Sequence, residues 1–220
     1  MARKMITITT RPPQEGKGDE WLTGHSKWWG APDLPADIPY PFVDVDDHDG
    51  GTYPEPLTFI CQIRLSDIAH YDPENRLPHS GMLYFFAAID YFLGEDSPLD
   101  LPSHGYSGEL VRVIHSEQED GLQPYRLTWE DSDESIFRKA EEITFGLTDG
   151  SYNVFSHGLF GDANDEVAGW YPHLLPLLRV EEEDRWNLRF YDCGTLYFLI
   201  DPDDLRRRRF DKVSTELFFY

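Results

Sequence analysis

Two stretches of this chain repeat one another, and the repeat limits the architecture more than any other feature. The first half carries Leu57-Thr-Phe-Ile-Cys-Gln-Ile63 and then Gly81-Met-Leu-Tyr-Phe-Phe86. The second carries Leu174-Leu-Pro-Leu-Leu-Arg-Val180 and then Gly194-Thr-Leu-Tyr-Phe-Leu199. Ile63 to Val180 and Gly81 to Gly194 are nearly equal steps, so both copies keep one register. Two long units predict two similar half-structures packed together; a solenoid needs three or more short repeats.

The chain has 220 residues and is 40% hydrophobic, with 15% aromatic residues, which is enough for a sizeable core without disulfides or a structural metal. Its charge is unusual: 19 Lys+Arg against 41 Asp+Glu give −22. Such a surface repels phosphate backbones and anionic lipid, so nucleic-acid and membrane partners are not expected. It suits either solubility or a basic protein partner drawn in by steering. The two cysteines, Cys61 and Cys193, do not make a secreted disulfide framework. Met1-Ala-Arg-Lys-Met-Ile-Thr-Ile has no apolar run like that of a signal peptide, and no stretch nears the ~18 apolar residues of a membrane span. The expected location is the cytoplasm.

The pattern predicts a β-rich α+β fold, mostly antiparallel, with few short helices. Residues 1–25 read as a strand, Met5 to Thr9, and a polar lead-in; residues 26–213 as one domain with halves at about 26–115 and 116–213; residues 214–220 as a tail. Lys27 to Pro41 carries prolines at 32, 35, 39 and 41, which fix φ and remove donors, so it forms a ribbon, not a helix. Thr58 to Leu65 alternates as a half-buried strand, and Met82 to Ala88 is apolar on both faces. Leu110 to His115, Tyr125 to Trp129 and Ile143 to Leu147 read as further strands. Helices are expected at Ser66–His70, at Ser132–Glu142 with Ser132 as cap, and after Asp201, with Pro202 at the first helical position.

Strong catalytic signatures are missing: no Gly-rich phosphate loop, no G-x-S-x-G, no C-x-x-C, no H-E-x-x-H. Asp44-Val-Asp-Asp-His-Asp-Gly50 looks like a calcium loop, but its glycine is one place late and Pro54 and Pro56 forbid the exiting helix, so it reads as a solvated acidic turn. Ser103-His104 and Ser156-His157 are adjacent pairs whose side chains diverge in extended chain, so neither is a dyad. The chain thus assigns no catalytic residue, metal or cofactor. The candidates for binding are few. Trp28 and Trp29 beside Gly30 could floor a groove, or pack the ribbon. Gln62 and Arg179 are equivalent outward positions that could line a cleft between the halves. Glu181, Glu182 and Glu183 could meet a basic partner.

A resemblance joins these features. Lys27-x-x-Gly30-x-Pro32-x-Leu34-Pro35, Pro56-Leu-x-Phe-Ile-x-Gln62-Ile and Leu77-Pro-x-x-Gly81-x-Leu-Tyr-Phe-Phe86 resemble the YwqG-like family, a bacterial domain of unknown function. So do Trp186, Asp192, Gly194, Leu196-Tyr-Phe198, Asp204-Leu205 and Phe210, with His157-Gly-Leu-Phe-Gly161 in the place of the mid-chain turn. The chain has Arg179 where the family often has glutamine, and Tyr40 where it has tryptophan. The resemblance implies an α+β fold with duplicated sheets and carries over no catalytic residue. Some relatives are encoded near secreted toxins, so it also implies an immunity or interaction role. The expectation is therefore a non-enzymatic interaction protein with an acidic surface. The alternative is a small-molecule binder or enzyme with its cleft between the halves.

Overall fold

The structure is a computed structural model that describes residues 4–14, 17–46, 49–89, 108–129, 131–148, 156–190 and 193–219. In chain order its elements are β1 (Met5–Arg11), β2 (Lys27–Trp28), β3 (Asp33–Leu34), β4 (Phe42–Asp46), β5 (Thr52–Pro56), β6 (Thr58–Arg64), α1 (Leu65–Ile68), β7 (Met82–Ala87) and β8 (Val111–Ser116). There follow β9 (Gln123–Pro124), β10 (Glu141–Thr148), β11 (His157–Leu159), α2 (Asp165–Trp170), β12 (Leu175–Glu181), β13 (Thr195–Ile200), α3 (Pro202–Arg206) and β14 (Ser214–Phe218). The fold is β-rich and antiparallel, with a few short helices.

Ten strands form one sheet in the order β14-β13-β12-β11-β1-β10-β2-β6-β7-β8. The segments that repeat in sequence lie towards its opposite ends. Gln62 pairs with Tyr84 as Arg179 pairs with Tyr197, and each pair of strands carries a register shift just before that pairing, between Phe59 and Cys61 and between Pro176 and Leu178. β1 and β10 join the two ends at the centre, with Ile8 opposite Phe145. The segments set apart in the sequence reading thus enter the same sheet: β1 at its middle and β14 at one edge.

The sheet curls on itself, because Phe85 of β7 and Phe198 of β13 meet edge to face at 5.4 Å although nearly the whole sheet separates their strands. The β13–β14 connection crosses to the other end and sets Phe210 against His115 of β8, 5.7 Å between rings. That contact helps cover an edge strand whose open N–H and C=O groups would otherwise invite pairing. Around the seam, Met82 to Ala87 and Thr195 to Ile200 are buried on both faces.

Local chemistry explains most elements. Asp201 accepts from the Asp203 amide at 2.7 Å with Pro202 next in the helix, as expected of a strong helix start. Leu65–Ile68 and the turn to Tyr71 supply the short helix expected after the Thr58–Leu65 strand. Gly81 precedes β7 at φ +93, and a Cβ there would lie 2.3 Å from the Ser116 carbonyl. Gly81→Ala therefore combines a left-handed backbone with a backbone clash, and a loss of at least ~2 kcal/mol is expected in urea unfolding. A loss under ~0.5 kcal/mol would show that the turn relaxes freely.

Three sequence expectations are corrected. Ser132–Glu142 is not a helix: the Oγ atoms of Ser132 and Ser135 accept from the amides of Glu134 and Phe137, an alternative to helical bonding, and the segment then enters β10. The Tyr125–Trp129 strand shrinks to an isolated bridge between Thr128 and Ser135, with β9 just before it. β6 is buried on both faces, not half-buried. Of the acidic loop, Asp44 to Asp46 end β4, Asp49 and Gly50 follow in the turn to β5, and residues 47 and 48 lie outside the described residues, as do Ser103, His104 and Asp192.

Candidate functional site

Gln62 and Arg179 do lie on one face of the sheet, but that face is roofed, so they are not outward-facing. Over the first half the roof is the proline ribbon. Gln62 Oε1 accepts the Asp33 amide at 2.8 Å, and Gln62 Nε2 donates to the His25 carbonyl at 2.9 Å and to Asp33 Oδ2 at 2.6 Å. Asp33 Oδ2 also receives Lys27 Nζ and the Gly24 amide, each at 2.9 Å. Tyr84 OH completes the tether by donating to the Asp33 carbonyl at 2.7 Å. Lys27, Asp33 and Gln62 are all buried, so this is a desolvated ion pair held inside a hydrogen-bonded net. Burial lowers the Lys27 pKa, and the Asp33 charge opposes that fall. Sequence reasoning missed Lys27 and Asp33. The signal was there: a glutamine in a doubly buried strand must find partners.

Over the second half the roof is α2, started by Asn164, whose Oδ1 accepts the Val167 amide at 2.8 Å. Val167 packs with Tyr197 and Leu199 in a small second core. Tyr197, pushed up to about 12 by burial, hydrogen-bonds the backbone of Asn164. The tyrosine of each Leu-Tyr-Phe motif thus holds down the element above it. Arg179 donates Nε to Glu181 Oε1, and Thr195 Oγ1 donates to Glu181 Oε2 at 2.9 Å. Gln62 and Arg179 therefore serve two separate nets under two different roofs.

Trp28 and Trp29 are buried core, not the floor of an open groove. Trp28 lies 4.6 Å from the His157 ring and stacks on Trp186 at 5.6 Å, while Trp29 meets Trp186 edge-on at 5.4 Å. His157 Nδ1 accepts the Glu181 amide at 3.0 Å. Burial first, then the Arg185 and Arg179 charges, hold the His157 pKa at about 3.

The run Glu181 to Glu183 is engaged internally. Glu181 is buried, and burial raises its pKa against the pull of Arg179. Glu182 Oε1 accepts the amides of Phe190 at 2.8 Å and Gly194 at 2.9 Å. Glu183 Oε1 accepts the Arg185 amide and Nε at 3.3 Å each. Cys61 is buried, Cys193 is exposed, and no disulfide joins them. Among the described residues no three His, Cys, Asp or Glu side chains are placed to hold a metal ion, and no helix is long and apolar enough to cross a membrane.

An acidic surface element that stands outside the ten-stranded sheet is the β4–β5 hairpin. Val43 and Val45 turn inward, while Phe42, Asp44 and Asp46 alternate onto an exposed face opposite Pro56, Pro54 and Thr52. Tyr53 is also exposed. Pro54 and Pro56 lack amide donors, so β5 is a poor template for strand addition and a partner would read side chains.

No curated protein matches the chain. The family model described as a domain of unknown function, DUF1963, matches residues 26–157 and 150–217. These two stretches take in the ribbon, the side chains of both roofed nets and the clustered tryptophans Trp28, Trp29 and Trp186. The chain belongs to the DUF1963 family.

Proposed function

We propose that this chain is a non-enzymatic, cytoplasmic interaction protein that docks a basic protein partner on the exposed face of the β4–β5 hairpin. One observation carries the reading: Phe42 is exposed on the same strand face as Asp44 and Asp46. An exposed aromatic beside carboxylates suits a basic surface, with the ring as anchor and the acids as a charged rim. The net charge of −22 would speed the encounter by steering. A toxin-neutralising role is the form of this reading that the resemblance to the YwqG-like family implies. Gln62, Arg179, Trp28 and Trp29 support the alternative cleft poorly, since all four are buried in packing or hydrogen bonds. The matched pairings of Gln62 with Tyr84 and Arg179 with Tyr197 support the further reading that the two halves arose by internal duplication.

Affinity capture from host lysate at low and high salt tests this function. A basic protein should be retained stoichiometrically at low salt and lost near 1 M, where charge reaches only ~3 Å. Asp44→Lys with Asp46→Lys should weaken that capture at least ~10-fold while leaving the melting temperature in place, because both side chains are exposed. Capture unchanged by the double charge reversal would reject the hairpin as the docking face.

A further inference from the structure

Arg76 is fixed at one edge of its guanidinium and open at the other. Its Nε donates to Asp72 Oδ1 at 2.8 Å, and the guanidinium lies over the Phe160 ring, 3.8 Å from the centroid. Asp72 is buried, and its other oxygen accepts the Leu77 amide at 2.9 Å, so the anchor is itself held. Phe160 is buried with a left-handed backbone, φ +63, which a bulky side chain adopts only where its surroundings compensate the strain. Glu74 also stands on the Nε side, at 3.8 Å. Among the described residues, none accepts a hydrogen bond from Nη1 or Nη2 of Arg76.

Arg76 lines a cleft of about 640 Å³, within the roughly 300–1,000 Å³ of small-molecule sites. Leu147, Phe160, Leu175 and Pro176 give the cleft an apolar wall, and Lys4 stands in the same lining. Leu147 is exposed although β10 is an interior strand of the sheet, so the fold leaves this part of the wall uncovered. His70 packs on Tyr71 at 3.7 Å between rings, and Tyr71 OH donates to the Phe145 carbonyl at 3.0 Å, which steadies the rest of the lining. The residues come from 70–76 and from 147–176, so a cleft between the halves of the chain exists, away from Gln62 and Arg179.

Net charge does not draw a ligand here. Asp72 balances Arg76, and Glu74 in the lining matches Lys4 in number. Binding must then come from apolar burial and directed hydrogen bonds. Two N–H groups on the open edge of a fixed, planar guanidinium match the two oxygens of a carboxylate. The leucine, phenylalanine and proline surface suits a flat apolar body. A single negative charge also meets less repulsion from a chain of −22 than a phosphate dianion would.

We propose that this cleft binds a small aromatic monocarboxylate, with its carboxylate on the Nη edge of Arg76 and its ring on the apolar wall. The site shares no residue with the β4–β5 hairpin, so either assignment can fail without the other.

Calorimetry with 2-naphthoate, 2-naphthamide and acetate tests the proposal. 2-Naphthoate should bind saturably. The amide lacks the charged pair of oxygens and acetate lacks the ring, so each should bind at least ~10-fold more weakly. Arg76→Lys keeps a cation beside Asp72 and loses the fork, and should weaken 2-naphthoate at least ~10-fold. Leu147→Glu sets a carboxylate in the apolar wall and should weaken it as much, with the melting temperature of the ligand-free protein in place because Leu147 is exposed. No saturable heat from 2-naphthoate up to ~10 mM would overturn the site. Unchanged affinity in Leu147→Glu, or in a folded Arg76→Lys, would place the binding elsewhere and also overturn it. Equal affinity for the acid and the amide would overturn the ligand class.

Discussion

Replacing Asp33 by alanine should cost the fold about 3–5 kcal/mol, as removing one partner of a buried ion pair does elsewhere. Asp33 Oδ2 accepts from Lys27, Gly24 and Gln62, so the substitution strands an ammonium, a backbone amide and a side-chain amide at once. The cost comes from the groups left behind more than from the bonds lost. Hence Lys27→Met combined with Asp33→Leu should recover a large part of the loss, since an apolar pair leaves no buried charge. A double variant as unstable as Asp33→Ala alone would show that the ribbon needs the acceptor, not the charge balance. Asp33→Asn separates these terms by pH. Burial already lowers the Lys27 pKa, and without the Asp33 charge it falls further. Between that lowered value and the ~10.4 of the unfolded chain, the unfolded state binds a proton the folded state lacks. The stability of Asp33→Asn should therefore rise with pH through that window, more steeply than in the wild type. Parallel slopes in urea unfolding at neutral and alkaline pH would sink this account.

The strands were legible because the repeat is written in apolar side chains that only a buried sheet can use: Gly81 to Phe86 and Gly194 to Leu199 lead into β7 and β13 as read. The helix after Asp201 was legible because a cap and a proline act within one turn. What failed depended on distant chain. Ser132 to Glu142 has the composition of a helix start, yet Phe137 is needed in an aromatic cluster against Tyr40, 5.7 Å away, and the two serines bond their own backbone. Gln62 and Arg179 were placed on the right face and given the wrong surroundings, because alternation within a strand says nothing of what covers it. The same holds for Glu182, whose role as acceptor for Phe190 and Gly194 is set by a turn that closes only in three dimensions. A cleft lined by segments near residues 19–31, 123–126 and 135–139 likewise joins distant chain, and no linear spacing encodes that meeting.

Acid should weaken this fold through His157, and the sign follows from its surroundings. The ring packs against both Trp28 and Trp186, which also stack on each other, and its Nδ1 already accepts the Glu181 amide. Protonating Nδ1 would set two N–H groups against each other in a site that excludes water. The folded pKa is accordingly about 3, against 6.5 for a free side chain. Below 6.5 the unfolded chain takes up a proton that the folded chain refuses, so stability is full above that pH and falls as pH drops toward about 3. The ceiling on this loss is about 4–5 kcal/mol, at ~1.4 kcal/mol for each pH unit of difference. Glu181 works the other way, because burial raises its carboxyl pKa and its protonation favours the folded state as acid is added. A substitution isolates the histidine's share. His157→Phe keeps a ring against both tryptophans and loses the acceptor for the Glu181 amide, so it should cost about 1–3 kcal/mol at pH 7. Its stability should then decline less on acidification, and the two proteins should approach one another near pH 4. If their urea-unfolding free energies instead stay parallel from pH 7 to pH 4, His157 is not the group that the folded state keeps neutral.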